Sequence, residues 1–335
     1  MNLESKPQTR PESKPQTRPE FKPRANPGWT SASERGSHFA LRTLVWLIRR
    51  VGGAPLHLLL GPIAIYYTLF AVSARRASRA YLARIDRARG GAARKPGLRQ
   101  TYRHFYSFAE GILDRLSLWS GAYDKFEVVL HGCENMEKLA ESGRGAFMIG
   151  AHLGNFDMLR LVARKENIPV NVLMLATNAE RINEAFEALD PECNIRVIDI
   201  GTASVGTALK IRRCVDRGEF VAVLADRTLP GGRDRIARAN FLGEAAAFPE
   251  GPFRLSMVTQ LPLVLTIALK TGPNRYEVFM EEIADGEPVP AAERKKVIQE
   301  RVETFAARLE HFCLREPLQW FNFYDFWAEI EDERS

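Results

Sequence analysis

A chain of 335 residues with 45% hydrophobic side chains can bury one large core or two small ones. The formal net charge of +6 leaves nucleic acid, an anionic membrane or an acidic substrate as partners, and the placement of the charge has to decide among them. The four cysteines are scattered and form no Cys-x-x-Cys pair, which argues against a disulfide framework or a zinc site, so no metal is expected.

The first 37 residues read as a disordered tail. Residues 4–11 (Glu-Ser-Lys-Pro-Gln-Thr-Arg-Pro) recur unchanged at 12–19, and a degenerate copy follows at 20–27. Frequent proline and little apolar content leave nothing to pack. The N-terminus does not resemble a secretory signal. From His38 the character changes. Residues 39–51 are apolar with Arg42, Arg49 and Arg50, and 54–72 contain no Asp, Glu, Lys or Arg. A basic run follows: Arg75, Arg76, Arg79, Arg84, Arg87, Arg89, Arg94 and Lys95, opposed only by Asp86. Basic residues clustered beside an apolar stretch point to an anionic membrane surface and not to nucleic acid. Both flanks are basic and Gly61-Pro62 interrupts the run near its middle, so a shallow or re-entrant anchor fits at least as well as a span. A buried helical hairpin is the bland alternative.

Residues 100–119 place Tyr102, Phe105, Phe108, Ile112, Leu116 and Trp119 at helical spacing, predicting an amphipathic helix with an aromatic core face. Strands and helices then alternate. Strands are predicted at 126–130, 146–149, 170–175, 195–200, 220–225, 263–269 and 276–280. Helices are predicted at 135–141, 156–166, 179–189, 204–217 and 291–312. This is an α/β pattern: a mostly parallel central sheet flanked by helices, preceded by a membrane-associating helical segment. The expected domains are the tail at 1–37, the basic apolar segment at 38–97 and the α/β domain at 98–330.

The chemistry concentrates where the strand 146–149 hands over to a helix, in Ala151-His-Leu-Gly-Asn-Phe-Asp157. Sites in α/β folds collect at the carboxyl ends of strands. The spacing lets the Asp157 carboxylate reach the far ring nitrogen of His152, fixing its tautomer and leaving the other nitrogen as a base. A hydrogen-bonded structural histidine is the alternative. No Gly-x-Ser-x-Gly elbow, phosphate-cradling Gly-x4-Gly-Lys loop or His-Glu-x-x-His helix occurs, and the other histidines have no motif-like neighbours. The strand at 220–225 ends in Asp226-Arg227, which places an arginine to bind phosphate, with a surface ion pair as the bland alternative. Phe248-Pro-Glu-Gly-Pro252 offers backbone N–H groups to an anion at a loop-to-helix junction.

Together these blocks resemble, in order, the four blocks of the glycerolipid and lysophospholipid acyltransferase superfamily. They are His152 to Asp157, 220–227 ending in Arg227, Phe248 to Gly251, and Leu261-Pro-Leu-Val264. Within it, His-x-Gly-Asn-Phe-Asp and Phe-Leu-Gly-x-x-Ala-x-Phe-Pro-x-Gly-Pro look most like the bacterial lipid A lauroyl/myristoyl acyltransferase family. The ending Trp320-Phe-Asn-Phe-Tyr-Asp-Phe-Trp327 is similar to a less characterised branch with an aromatic C-terminal tail. Lipid A enzymes often carry Glu at the place of Asp157 and Gln at that of Arg227, which weighs against lipid A itself as acceptor. The resemblance implies acyl transfer from acyl carrier protein or coenzyme A to a hydroxyl of a membrane lipid or glycolipid, with no cofactor beyond that co-substrate. His152 would be the general base and Asp157 its orienting acid. Asn155, Arg227, Gly251, Arg238 and Arg254 would contact substrate. An anionic membrane surface is the expected setting, on the cytoplasmic side of a bacterial inner membrane. Transfer to a soluble acceptor, and a non-catalytic membrane-surface binding protein, are the competing readings.

Overall fold

The computed structural model describes residues 54–91, 96–165, 167–174, 195–200, 205–228 and 236–327. The predicted tail 1–37, the stretch 38–53 and the predicted helix 179–189 lie outside them. The described helices are α1 (Ala54–Phe70), α2 (Val72–Ala88), α3 (Leu98–Trp119), α4 (Glu134–Glu141), α5 (Leu159–Lys165), α6 (Val205–Asp216), α7 (Gly251–Thr259) and α8 (Arg294–Arg315). The strands are β1 (Glu127–His131), β2 (Phe147–Gly150), β3 (Val170–Met174), β4 (Ile195–Asp199), β5 (Phe220–Leu224), β6 (Ile236–Phe241), β7 (Glu244–Pro249), β8 (Leu263–Gly272) and β9 (Arg275–Ala284).

Seven strands form the central sheet in the order β1-β9-β8-β2-β5-β3-β4. All pairings are parallel except the β8–β9 hairpin. Both faces are covered, so the central strands read as continuous apolar runs. Alternate residues feed two cores. Phe147, Ile149, Val221, Val223, Leu265 and Ile267 face one core, which α8 closes with Val302, Phe305 and Leu309. Met148, Phe220 and Ala222 face the other, together with Met158, Leu159 and Val162 from the turn after β2 and α5. The β6–β7 hairpin is a separate two-stranded sheet that the sequence pattern did not predict. Its residues 237–247 are mostly Ala, Asn and Gly, which lack strand propensity; the pairing comes from packing Phe241 and Phe248 into the core.

The break expected at Gly61-Pro62 falls elsewhere. α1 continues through Pro62, and the chain turns at Ala71, where α1 and α2 meet at 93°. Gly61 instead faces α3: a Cβ there would stand 3.7 Å from the Tyr102 hydroxyl. The Arg75 guanidinium closes the end of α1 on the carbonyls of Thr68 and Leu69 at 2.8 and 2.7 Å, satisfying groups that a helix end leaves open. Among the described residues no single helix is long and apolar enough to cross a membrane, while this bent pair passes that test together. On α1 the stripe Leu56, Leu60, Ala64 and Thr68 is buried. The rest of its surface is apolar and open: Leu58 is 79% exposed and Phe70 66%.

On α3 the aromatic stripe is not the deepest face. Phe105 and Leu116 are buried, but Phe108 and Ile112 are each 37% exposed. Phe108 leans on Phe321 and Phe323 at the margin of the fold. Polar residues take part of the inner face instead. Asp114 accepts from Lys270 Nζ at 2.6 Å and the Tyr276 hydroxyl at 2.7 Å, tying α3 to the β8–β9 hairpin. His104 is fully buried, with Nδ1 2.9 Å from Ser78 Oγ and Nε2 2.9 Å from the Trp320 carbonyl. Nε2–H donates to that carbonyl, so Nδ1 accepts from the Ser78 hydroxyl. Burial lowers this imidazole to about 4, and the Trp320 carbonyl opposes it. The unfolded chain therefore takes up this proton first. The stabilisation is complete above the unfolded value of about 6.5 and is lost as pH falls toward 4, amounting to about 3 kcal/mol. Urea unfolding at pH 7 and pH 4.5 measures it, and His104→Gln is expected to lose that part of the slope.

Candidate active site

β2 ends at Gly150, and the chain leaves the sheet through Ala151 and His152. The following turn is bound on both sides. Gly154 N–H donates to the Gln319 carbonyl and Asn155 N–H to the Ala268 carbonyl, each at 2.9 Å. Gly154 has φ +69°, and a Cβ there would lie 1.8 Å from the Ala268 carbonyl oxygen, so only glycine fits. Asn155 then caps a 3-10 turn (Phe156–Met158), its Oδ1 accepting from Asp157 N–H at 3.2 Å.

The carboxylate on His152 is Asp226, not Asp157. His152 Nδ1 lies 2.8 Å from Asp226 Oδ1, and the His152 backbone N–H donates to Oδ2 at 2.9 Å. Asp226 follows β5, the parallel neighbour of β2, so the two loops leave the same sheet edge side by side. Asp157 turns toward α3: Arg115 Nε stands 2.6 Å from its Oδ2, and Trp119 Nε1 donates to its Oδ1 at 3.0 Å. The reason is local. The 3-10 turn points the Asp157 side chain back along the helix layer, whereas the neighbouring parallel strand delivers Asp226 directly beside the imidazole. The sequence held one signal for it, a carboxylate at the end of a buried apolar strand.

Asp226 is fully buried. Burial works against its charge, but His152, Arg227 and the His152 N–H outweigh this and hold it at about 2. Burial pulls the His152 imidazole below its ordinary value; Asp226 opposes the shift, while Arg227 and Arg115 add to it. The pair is thus a carboxylate with a neutral imidazole at pH 7. The His152 side chain is 29% exposed, and Nε2 carries no hydrogen bond among the described residues. The arrangement provides a base whose outward nitrogen can take a proton from an incoming hydroxyl.

The C-terminal segment closes the site from the other side. Leu153 and Trp320 form an antiparallel bridge, and Phe321 N–H donates to the His152 carbonyl at 2.8 Å. Arg227 donates to the Phe321 carbonyl at 2.9 Å and lies over the Tyr324 ring. His152 and Arg227 are therefore brought together around one residue, Phe321. The other predicted contact residues sit differently. Asn155 is 2% exposed and serves the turn, and the N–H groups of residues 152, 154 and 155 are already engaged. Arg238 lies on the exposed side of β6, Gly251 opens α7, and Arg254 pairs with Glu250 at 2.5 Å. Several arginines of the basic run also have internal partners. Arg84 and Arg87 bind Glu244 at 2.6 and 2.7 Å, and Arg84 lies 4.0 Å over the Trp327 ring. Among the described residues no cluster of His, Cys, Asp or Glu could hold a metal ion.

No curated protein matches the chain. Among solved structures it is similar to the 1-acyl-sn-glycerophosphate (LPA) acyltransferase PlsC from Thermotoga maritima. The identity is 14% and the TM-score 0.36, over 78% of this chain and 98% of that one. Residues 32–328 match the family described as bacterial lipid A biosynthesis acyltransferase. With that match spanning nearly the whole chain, the protein belongs to the bacterial lipid A biosynthesis acyltransferase family.

Proposed function

We propose that the protein transfers a fatty acyl group from a thioester, acyl carrier protein or coenzyme A, to a hydroxyl of a membrane lipid or glycolipid. The observation that carries this is the His152–Asp226 pair at the sheet edge, with Nε2 unengaged among the described residues. The acceptor hydroxyl attacks the thioester carbonyl carbon while its proton passes to His152 Nε2. The tetrahedral intermediate then expels the thiolate, which recovers that proton, and the new ester leaves. Asp226 holds Nδ1–H and stabilises the transient imidazolium. Arg227 is proposed to hold phosphate of donor or acceptor, with Arg238, Arg254 and the start of α7 at Gly251 as further contacts. Asn155 supports the reaction from inside the turn.

The setting proposed is the cytoplasmic face of a bacterial inner membrane. The open apolar side of α1 supports it more than the basic run does, because several of those arginines are spent on internal partners. The full chain, mixed with acyl carrier protein or coenzyme A thioesters and vesicles of total bacterial lipid, should yield a lipid heavier by one acyl group in mass spectra. Leu58→Asp with Phe70→Asp should weaken vesicle co-sedimentation and lower the yield in parallel. Acyl transfer to no lipid from either donor would remove this reading.

A further inference from the structure

We infer that Trp320 is a positioning residue for the base: its indole N–H fixes Asp226 so that the carboxylate faces His152 Nδ1. The inference rests on the reading of His152 as base. Asp226 Oδ2 has two donors, the His152 backbone N–H at 2.9 Å and Trp320 Nε1–H at 3.0 Å. With Oδ2 pinned twice, the carboxylate plane is set and Oδ1 is aimed at the imidazole. Trp320 is itself held on every side. It is fully buried, its carbonyl accepts from His104 Nε2, and it is bridged to Leu153. Its ring packs on Tyr81, Phe241 and Phe326 at 4.9, 5.2 and 5.0 Å between centroids. The aromatic C-terminal segment thus does more than fill a core: it reaches the reaction through one hydrogen bond.

The same hydrogen bond sets the strength of the base. A donor on Oδ2 draws charge away from the carboxylate, so the imidazolium is stabilised less than a bare carboxylate would stabilise it. Removing the donor makes His152 more basic. The other charged or titratable groups around the pair are Arg227 and Arg115, which oppose the imidazolium, and Tyr81 and Cys313. Burial keeps the phenol and the thiol protonated, and it keeps His104 neutral near pH 7. The phenol, the thiol and His104 therefore keep their charge state near pH 7.

Trp327 provides a matched control. It is 4% exposed, belongs to the same aromatic cluster and stacks on Phe241, yet its buried Nε1 has no hydrogen-bond partner among the described residues. Trp320→Phe and Trp327→Phe therefore remove the same atoms from one core, and only the first removes a donor from Asp226. The full chain, labelled with ¹⁵N-histidine and held in lipid nanodiscs, is titrated by NMR, with the His152 ring assigned through His152→Gln. The acid limb of kcat/KM is measured alongside. Trp320→Phe is expected to raise the His152 midpoint by about half a pH unit or more, with the acid limb moving the same way. Trp327→Phe should leave both in place. An unmoved midpoint in Trp320→Phe, or equal shifts in the two variants, overturns the inference. If the midpoint moves while the wild-type chain transfers no acyl group, the hydrogen bond keeps its role and the acyltransfer reading fails instead.

Discussion

Asp226→Asn is expected to lower acyl transfer about a hundred- to ten-thousand-fold, as much as His152→Ala does. The carboxylate accepts three hydrogen bonds and donates none. An amide in its place must offer N–H to at least one of those donors. If its oxygen stays on Nδ1–H, the amide N–H₂ meets the His152 and Trp320 N–H groups head-on, at a cost of about 1–3 kcal/mol for buried unsatisfied donors. If it rotates, N–H₂ faces Nδ1, and the imidazole switches to the tautomer protonated at Nε2. That tautomer has no lone pair for the acceptor hydroxyl. The pH profile should shift as well as fall. Asp226 supports the imidazolium against burial, so its loss moves the acid limb to lower pH while the plateau falls. The double variant Asp226→Asn, His152→Ala should be no worse than His152→Ala alone, because the two residues act as a unit. Asp157→Asn is expected to shift the His152 titration less than Asp226→Asn and to loosen the tie between the 3-10 turn and α3. Rates across pH 5 to 9 with near-UV circular dichroism measure all of this. An Asp226→Asn protein that keeps normal turnover and an unshifted limb would assign the carboxylate a purely structural place.

Gly154→Ala should cost about 3–5 kcal/mol of stability, a large share of the roughly 5–15 kcal/mol that a folded protein has. Two effects combine. The left-handed backbone at φ +69° costs alanine about 1–2 kcal/mol. The added Cβ also collides with the Ala268 carbonyl of β8, which is sheet backbone and has no rotamer to adopt. The turn then pulls away from β8 and loses the Asn155-to-Ala268 and Gly154-to-Gln319 hydrogen bonds. Those bonds also hold His152 beside Trp320, so activity falls with stability. Gly121→Ala separates the two effects. Gly121 also has positive φ, +84°, but a Cβ there meets nothing within 4 Å. It should cost about 1–2 kcal/mol and leave transfer intact. Urea unfolding midpoints of both variants and the wild type make the comparison. Equal losses for the two would show that backbone conformation, and not the approach to β8, makes glycine necessary at 154.

Much of the α/β body was legible in the sequence because its signals are local. Strands such as 146–149 and 220–225 are short apolar runs beside turn residues, and α8 shows a repeat that buries Ile298, Val302, Phe305 and Leu309 on one face. The β6–β7 hairpin was not legible, since its small residues have no strand preference of their own. Gly61-Pro62 was misread for a related reason. Proline usually ends a helix, but packing of α1 on α3 carries the helix through it, and the bend falls at Ala71, where Arg75 supplies a cap.

His152 was identified from sequence because its neighbours, Gly154 and Asn155, mark a tight strand-to-helix turn that local chemistry demands. Its partner was assigned wrongly to Asp157 because spacing along the chain was the only distance available. Parallel pairing of β2 with β5 brings Asp226, 74 positions away in the chain, to 2.8 Å from the imidazole. The sequence alone therefore determined that a histidine stands at a strand end in a tight turn, and the family to which the chain belongs. The tertiary structure decided which carboxylate serves it and that the C-terminal Trp320 holds that carboxylate, because strand order and side-chain packing join residues far apart in the chain.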